Sequence, residues 1–269
     1  MKRLIILSIV VVAIVASCQK DVHLNLKNAA GLVVIEGNIT NDTGPCYVVI
    51  SRTITFYDSN NIVPVTNARV IITDNAGNMD SFVPFVYPGL YQASNIRGTV
   101  GRTYHLSVLV DGKEYDATST LNPPVQVDSA GIEVFAFAGK TFWSPYCLFK
   151  DPPGVTNYYA AFLYVNYKRQ SKITPLTDVL DDGLTVQASV SPDFFVNVND
   201  TVQVELDAID QPIYNYWNTL SNSTLSNLSA APANPVSNFS NNALGYFSAH
   251  SNTLSHHIVA DQNGFHRID

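Results

Sequence analysis

The chain has 269 residues, 14% of them charged, a formal charge of −7, 14 tyrosines and 13 phenylalanines. An acidic balance argues against a nucleic-acid partner, whose phosphates demand clustered lysine and arginine. Sparse charge with abundant aromatics suits strands better than exposed helices, so the expected fold class is mainly β.

Met1-Lys2-Arg3 precedes an apolar run from Leu4 to Val15. About a dozen apolar residues are too few to span a bilayer but match the core of a secretory signal. Val15-Ala16-Ser17-Cys18 then resembles the bacterial lipoprotein signal, which implies a leader over 1–17 and Cys18 as lipid attachment point and mature N-terminus. An ordinary signal peptide with a chance cysteine is the alternative. Removing the leader leaves about 250 residues, enough to bury roughly 70–75% of the unfolded surface in one or two cores. Residues 18–30 mix Lys20, Asp21, His23, Asn25 and Lys27 with few apolar groups and read as a flexible tether. Cys18-Gln-Lys-Asp21 resembles the short Lys/acidic export signal of Bacteroidota lipoproteins destined for the outer face of the outer membrane; a solvated linker facing the periplasm is the alternative.

From Leu32 the pattern turns to strands. Leu32–Gly37 and Tyr47–Ser51 are β-branched and separated by the turn-rich Asn38–Pro45 segment. Val65–Asp74 follows and ends in the turn signal Asp74-Asn-Ala-Gly77. Tyr104–Val110 and Tyr115–Ser119 alternate polar and apolar residues around Asp111-Gly112, the dipeptide of a type I′ hairpin. Pro64–Val70, Gly89-x-Tyr91, Gly101-x-Thr-Tyr104 and Asp111-Gly-Lys-x-Tyr115 together resemble a prealbumin-like, carboxypeptidase-regulatory type of Ig-like sandwich, placed over 31–122. Asn122-Pro-Pro124 interrupts the sheet, because proline cannot donate to a ladder, and marks a boundary.

The second unit, 125–269, opens with Gly131–Phe137 and Phe142–Phe149 around a Gly139-Lys140 turn. Asn157–Lys168 reads as one long strand with both faces apolar, which requires a central position or a cover. Thr201–Ala208 alternates cleanly. A short helix near 211–221 is expected from the cap Asp210, Pro212 in the first turn and a stripe of Ile213, Tyr216, Trp217 and Leu220. Asn218–Asn242 reads as an uncharged loop, and Ala243–Ala249 as a last strand. The expected architecture is thus two antiparallel β-sandwich domains with one short helix in the second.

Ala231–Asn238, Ala243–Ala249, Asp151-Pro-Pro-Gly-Val-x-Asn-Tyr-Tyr159, Tyr214-x-Tyr-Trp217 and the Val33–Thr40 strand resemble the Bacteroidota lipoprotein family known as domain of unknown function 4249. The likeness covers nearly the whole mature chain and departs at Asn241-Asn242, where the family often has glycines. It implies a cell-envelope lipoprotein, often found beside TonB-dependent outer-membrane receptors, with no established catalytic residues to carry over.

Chemical motifs are scarce. G-x-S-x-G, a phosphate loop, H-E-x-x-H and paired C-x-x-C are absent from the sequence. His256, His257 and His266 suit a solvated tail better than a metal trio, since adjacent histidines on a strand face opposite ways. Asp181-Asp182-Gly183 and Asp74–Asp80 lack the ordered spacing of a calcium loop and read as turns. Cys46 and Cys147 suit two buried hydrophobes, with a bridge between domains as the alternative. Asp128-Ser129-Ala130 and Asp200-Thr201-Val202 resemble Bacteroidota O-glycosylation sites at Ser129 and Thr201. No cofactor or metal is expected. The candidates for ligand or partner contact are Asn234 and Asn238 in the asparagine-rich loop, whose amides suit structural turn closure better, and the tyrosines Tyr158 and Tyr164, for which core packing or coverage by the helix is the favoured alternative.

The expected function is a non-catalytic, outer-membrane lipoprotein, more on the cell surface than on the periplasmic face, acting as accessory or ligand-binding partner of a TonB-dependent transporter; a structural or adhesive surface module is the alternative. Cys18→Ser is expected to move the protein from the detergent phase to the aqueous phase of a Triton X-114 partition. Retention in the detergent phase would refute the anchor.

Overall fold

A computed structural model describes residues 31–54, 62–193, 195–225 and 234–268. The leader, Cys18 and the tether lie outside them. The architecture is mainly β with a single helix among the described residues, as the composition predicts.

The first half supplies β1 (Val33–Thr40), β2 (Tyr47–Arg52), β3 (Val63–Pro64), β4 (Arg69–Asp74), β5 (Met79–Pro84), β6 (Leu90–Ala93), β7 (Thr103–Val110) and β8 (Lys113–Thr120). The second supplies β9 (Val127–Phe137), β10 (Lys140–Lys150), β11 (Tyr158–Val165), β12 (Lys168–Thr177), β13 (Thr185–Ser189), β14 (Thr201–Ile209), α1 (Gln211–Leu225), β15 (Leu244–Leu254), β16 (His257–Asp261) and β17 (Gly264–Ile268). Fourteen of these strands form one sheet with the path β12-β11-β14-β15-β1-β2-β6-β5-β4-β7-β8, and β13-β10-β9 form a separate small sheet.

Period-two alternation decides which side chains meet. Ile35, Val48, Ile50 and Tyr91 face Ile72, Leu106 and Val108 across a first core. Phe239, Ala243, Phe247 and Ala249 belong to that core too, although they lie more than a hundred residues beyond Pro124. The boundary at Asn122–Pro124 therefore separates two cores but not two segments, because β15 returns to run parallel to β1 over Leu244–His250. A second core lies between the β11–β14–β16 face and the small sheet, where Leu163, Val204 and Leu206 meet Cys147 and Phe149. The third is thinner: Ala160, Phe162 and Ile209 on the opposite face of β11 and β14 pack beneath Ile213 of α1. The doubly apolar strand thus owes its pattern to a central place in the sheet and a helical cover.

Local differences from the sequence expectations have physical causes. The long strand over Asn157–Lys168 is cut at Asn166-Tyr167, both with positive φ, which make the two-residue turn into β12. The turn expected at Gly139-Lys140 sits one residue earlier, at Ala138-Gly139. Asn218–Leu225, expected in a loop, continues the helix; Thr219 Oγ1 donates to the Asn215 carbonyl at 2.8 Å and Ser223 Oγ to that of Leu220 at 2.7 Å, so polar side chains are absorbed by back-bonding. Asp111-Gly112 makes its turn with both φ positive. Cys46 and Cys147 are free, buried in different cores, and burial pushes both thiols up to about 12.

Gly245 opens β15 with φ +89°, and a Cβ there would stand 2.0 Å from the Ile35 carbonyl oxygen of β1. Gly245→Ala is expected to lower unfolding free energy by about 3 kcal/mol, combining backbone strain with an overlap that cannot relax without parting the strands. Gly112→Ala, with positive φ but open space around it, should cost about 1 kcal/mol. Urea unfolding of the two variants checks the contrast; equal losses would refute the role given to the close strand approach.

Candidate functional site

The side of the sheet opposite the first two cores carries a polar row. Asn38 and Thr40 come from β1, Glu205 and Asp207 from β14, Ser248, His250 and Asn252 from β15, and Tyr164 from β11. Register aligns them: Asn38 lies opposite Ser248, Thr40 opposite His250 and Asp207 opposite Asn252. Beside α1 the row lines a cavity of about 290 Å³ walled by Trp217 of the helix, Tyr246 and Phe162. Trp217 and Tyr246 rings are 4.6 Å apart, and Trp217 stands edge-on to Phe162.

The helix start fixes that wall. Asp210 caps α1 by accepting from the Ile213 N–H at 3.2 Å, and its other carboxylate oxygen accepts from the Thr120 N–H of β8 at 2.9 Å. Asn122 Nδ2 donates to the Ile209 carbonyl at 2.8 Å on the same side. The aromatic wall is therefore pinned to both halves of the molecule.

Electrostatics on the floor are set by burial. Asp207 is 3% exposed, and one of its carboxyl oxygens, Oδ1, is the only cavity-lining side-chain atom among the described residues that is buried without a hydrogen bond. Desolvation, then repulsion from Glu205, raises the Asp207 carboxyl well above its ordinary value, and a proton on Asp207 gives it Glu205 as a hydrogen-bond partner. His250 Nε2 lies 3.5 Å from Asp207 Oδ2 and its Nδ1 lies 2.9 Å from Ser248 Oγ. Burial pushes His250 down to about 4, helped by the Arg169 charge, so near neutral pH the imidazole in the His250–Asp207 contact carries no charge despite the ion-pair distance. Arg169 stacks 3.8 Å over the Phe162 ring and approaches Glu205 to 4.0 Å. Tyr164 donates to Glu205 Oε2 at 2.7 Å, and burial with that bond pushes its hydroxyl up to about 12.

Ser248, His250 and Asp207 form a chain of contacts, yet they lack what acyl transfer needs. Ser248 is itself 2% exposed, and the N–H after it, on Ala249, is spent on Ser119 Oγ at 2.9 Å rather than on an oxyanion.

Of the residues singled out in the sequence, Tyr164 lies in this cleft. Tyr158 packs against Tyr214 of α1 with ring centroids 5.1 Å apart. Asn238 clips β15, donating to the Phe247 carbonyl at 2.8 Å and accepting from its N–H at 3.0 Å. Asn234 is exposed and outside the cleft lining. His257 contacts the Tyr167 ring and His266 sits 3.4 Å from Asp261. Among the described residues, Asp151, Asp178 and Asp182 bring ligand-type atoms within 4.8 Å of one another. Their oxygens accept from Tyr159, Gly183, Asn157 and Gly154, so the cluster clasps the Pro152–Asn157 loop against Asp181–Gly183. The cleft residues Glu205, Asp207, Ser248, His250 and Arg169 were missed, because alternating charge on a strand reads as a solvated face.

Residues 19–255 match the family described as Domain of unknown function (DUF4249). The chain belongs to that family. No curated protein matches it. The motifs behind the earlier resemblance have structural roles in this DUF4249 chain: Asp151-Pro-Pro-Gly is the clasp, Tyr214-x-Tyr-Trp217 builds the aromatic wall, and Gly245 admits β15 beside β1. Asn241 and Asn242 both adopt positive φ, a left-handed turn made by a side chain that tolerates it.

The two buried titratable groups predict opposite pH responses. A His250 held at about 4 against 6.5 when unfolded stabilises the fold above pH 6.5, and that stability, about 3 kcal/mol, is lost as pH falls toward 4. Asp207, raised when folded, contributes stability that is present at low pH and lost as pH rises through its folded value. Urea melts between pH 4 and 8 should show wild type losing about 3 kcal/mol relative to His250→Gln between pH 7 and 4. They should also show Asp207→Asn gaining on wild type as pH rises. Differences independent of pH would refute the assigned protonation states.

Proposed function

We propose that this protein is a lipid-anchored, non-catalytic cell-envelope module that captures a small polar ligand in the cleft beside α1 and serves as an accessory partner of a TonB-dependent outer-membrane transporter. The ligand-binding part rests on one observation. A row of hydrogen-bonding side chains, with Asp207 and Ser248 almost fully buried, faces a cavity instead of protein. Burying such groups costs about 1–3 kcal/mol each where partners are incomplete, and a fold that needed only stability would fill that space with apolar side chains. The envelope and transporter parts rest on the Cys18 signal and on the Bacteroidota lipoprotein resemblance. The location that goes with this reading is the outer membrane, with the body on the cell surface rather than the periplasmic face as the preferred orientation.

Two measurements test it. Tagged protein recovered from mildly solubilised membranes should bring a TonB-dependent transporter with it; reproducible recovery alone would refute the partnership. Asn252→Trp, which fills the open side of the cleft, should reproduce the nutrient-uptake defect of a gene deletion while the protein remains at normal level in the membrane. Wild-type uptake in that strain would refute the cleft as the functional site.

A further inference from the structure

The geometry points to a neutral, polyhydroxylated ring of monosaccharide size as the ligand of the cleft, an inference that rests on the proposed binding role and adds the ligand class. Three features of the lining select it. The first is size: about 290 Å³ falls just below the ~300–1,000 Å³ usual for small-molecule sites, room for no more than one small ring.

The second is charge. Arg169 and Glu205 oppose each other at 4.0 Å, Asp207 and His250 are buried against each other, and burial raises the hydroxyls of Tyr164 and Tyr246, so neither tyrosine adds a charge. Asp42, bonded to Asn252 Nδ2 at 3.0 Å, and Glu36 beside Tyr246 add exposed negative charge at the rim. An anion would meet that rim and Glu205; a cation would displace or face the Arg169 guanidinium. Neither sign of ligand finds an uncompensated partner of the opposite sign on the floor.

The third is the mixture of hydrogen-bonding types. Asn38 and Asn252 each carry an amide that both donates and accepts, with one donor of Asn252 held by Asp42; Thr40 adds a hydroxyl that Asp42 shares, and the Asp207 Oδ1 atom has no hydrogen-bond partner. Ligand hydroxyls, each both donor and acceptor, satisfy such a set without a fixed charge. Trp217 and Tyr246 supply the flat apolar surface that the C–H face of a sugar ring covers. The larger groove of about 770 Å³ that Trp217 also lines presents hydroxyls but no side-chain amide. Its charged groups are already engaged: Asp193 accepts from the Ser171 and Lys172 N–H groups, and Lys172 Nζ donates to the Pro192 carbonyl.

The test is isothermal titration of the full chain, held in a sugar-free detergent, with three rings of one skeleton: glucose, glucosamine in its protonated form, and glucuronate. Galactose, N-acetylglucosamine and myo-inositol extend the neutral set. At least one neutral probe should bind saturably. Where the bound skeleton is that of glucose, the charged analogues should bind at least tenfold more weakly. Trp217→Ala and, as a variant at the rim that spares the aromatic packing, Asn252→Ala should each weaken neutral binding at least fivefold, with circular dichroism unchanged in the latter. Charged probes binding as tightly as neutral ones, or no neutral probe saturating, would overturn the ligand class. The cleft reading itself stands or falls separately, on the uptake of the Asn252→Trp strain.

Discussion

One strand holds the molecule together by pairing in two directions. β15 is parallel to β1 over Leu244–His250 and antiparallel to β14 over Ser251–Leu254. Its odd residues Phe247 and Ala249 fill the first core, and its even residues from Tyr246 to Asn252 face the same side as Glu205 and Asp207. Because side chains alternate strictly, a one-residue slip would drive Ser248 and His250 into the core and expose Phe247. The register of one backbone ladder therefore decides both where the apolar mass goes and whether a polar cleft exists at all.

The cleft is stable because its charges are few. Full ionisation of Glu205, Asp207 and His250 so near one another would carry a desolvation penalty of several kcal/mol per ion. Burial lowers His250 and raises the Asp207 carboxyl, each toward its neutral form, while Arg169 approaches Glu205 with its guanidinium stacked on Phe162. Stacking keeps Arg169 in the cleft wall with only partial loss of hydration. The resulting floor is rich in hydrogen-bonding groups yet nearly balanced in charge, a combination that a solvated sheet face does not have.

The parts of this fold legible in the sequence are those fixed by neighbours in the chain. The β7–β8 hairpin follows from alternation and Asp111-Gly112; the start of α1 follows from Asp210, Pro212 and the Ile213–Leu220 stripe. Where the chain consults distant residues, legibility fails. Nothing local marks Asn166-Tyr167 as a turn inside an apolar run, and the serines and asparagines after Trp217 conceal a helix that absorbs them by back-bonding. Glu205-x-Asp207 and Ser248-x-His250-x-Asn252 look like ordinary outward faces, because the sequence does not say that β15 bridges β14 and β1 and that α1 walls the junction. Tyr164 was singled out as an aromatic residue and proves to matter through its hydroxyl, bound to Glu205.

The same non-local pairing preorganises the cleft. Asp210 answers two demands with one carboxylate, capping α1 and holding the Thr120 N–H at the end of β8, so the helix that carries Trp217 cannot tilt without breaking a contact to the first core. Its carboxyl is raised by burial, the cost of placing a cap where it also serves as a tie. Asn238 does the equivalent for β15, matching both hydrogen-bonding groups of Phe247. With the aromatic wall fixed from one side and the polar row from the other, a ligand entering the cleft would meet groups already in place. Little of its binding energy would then be spent on ordering them.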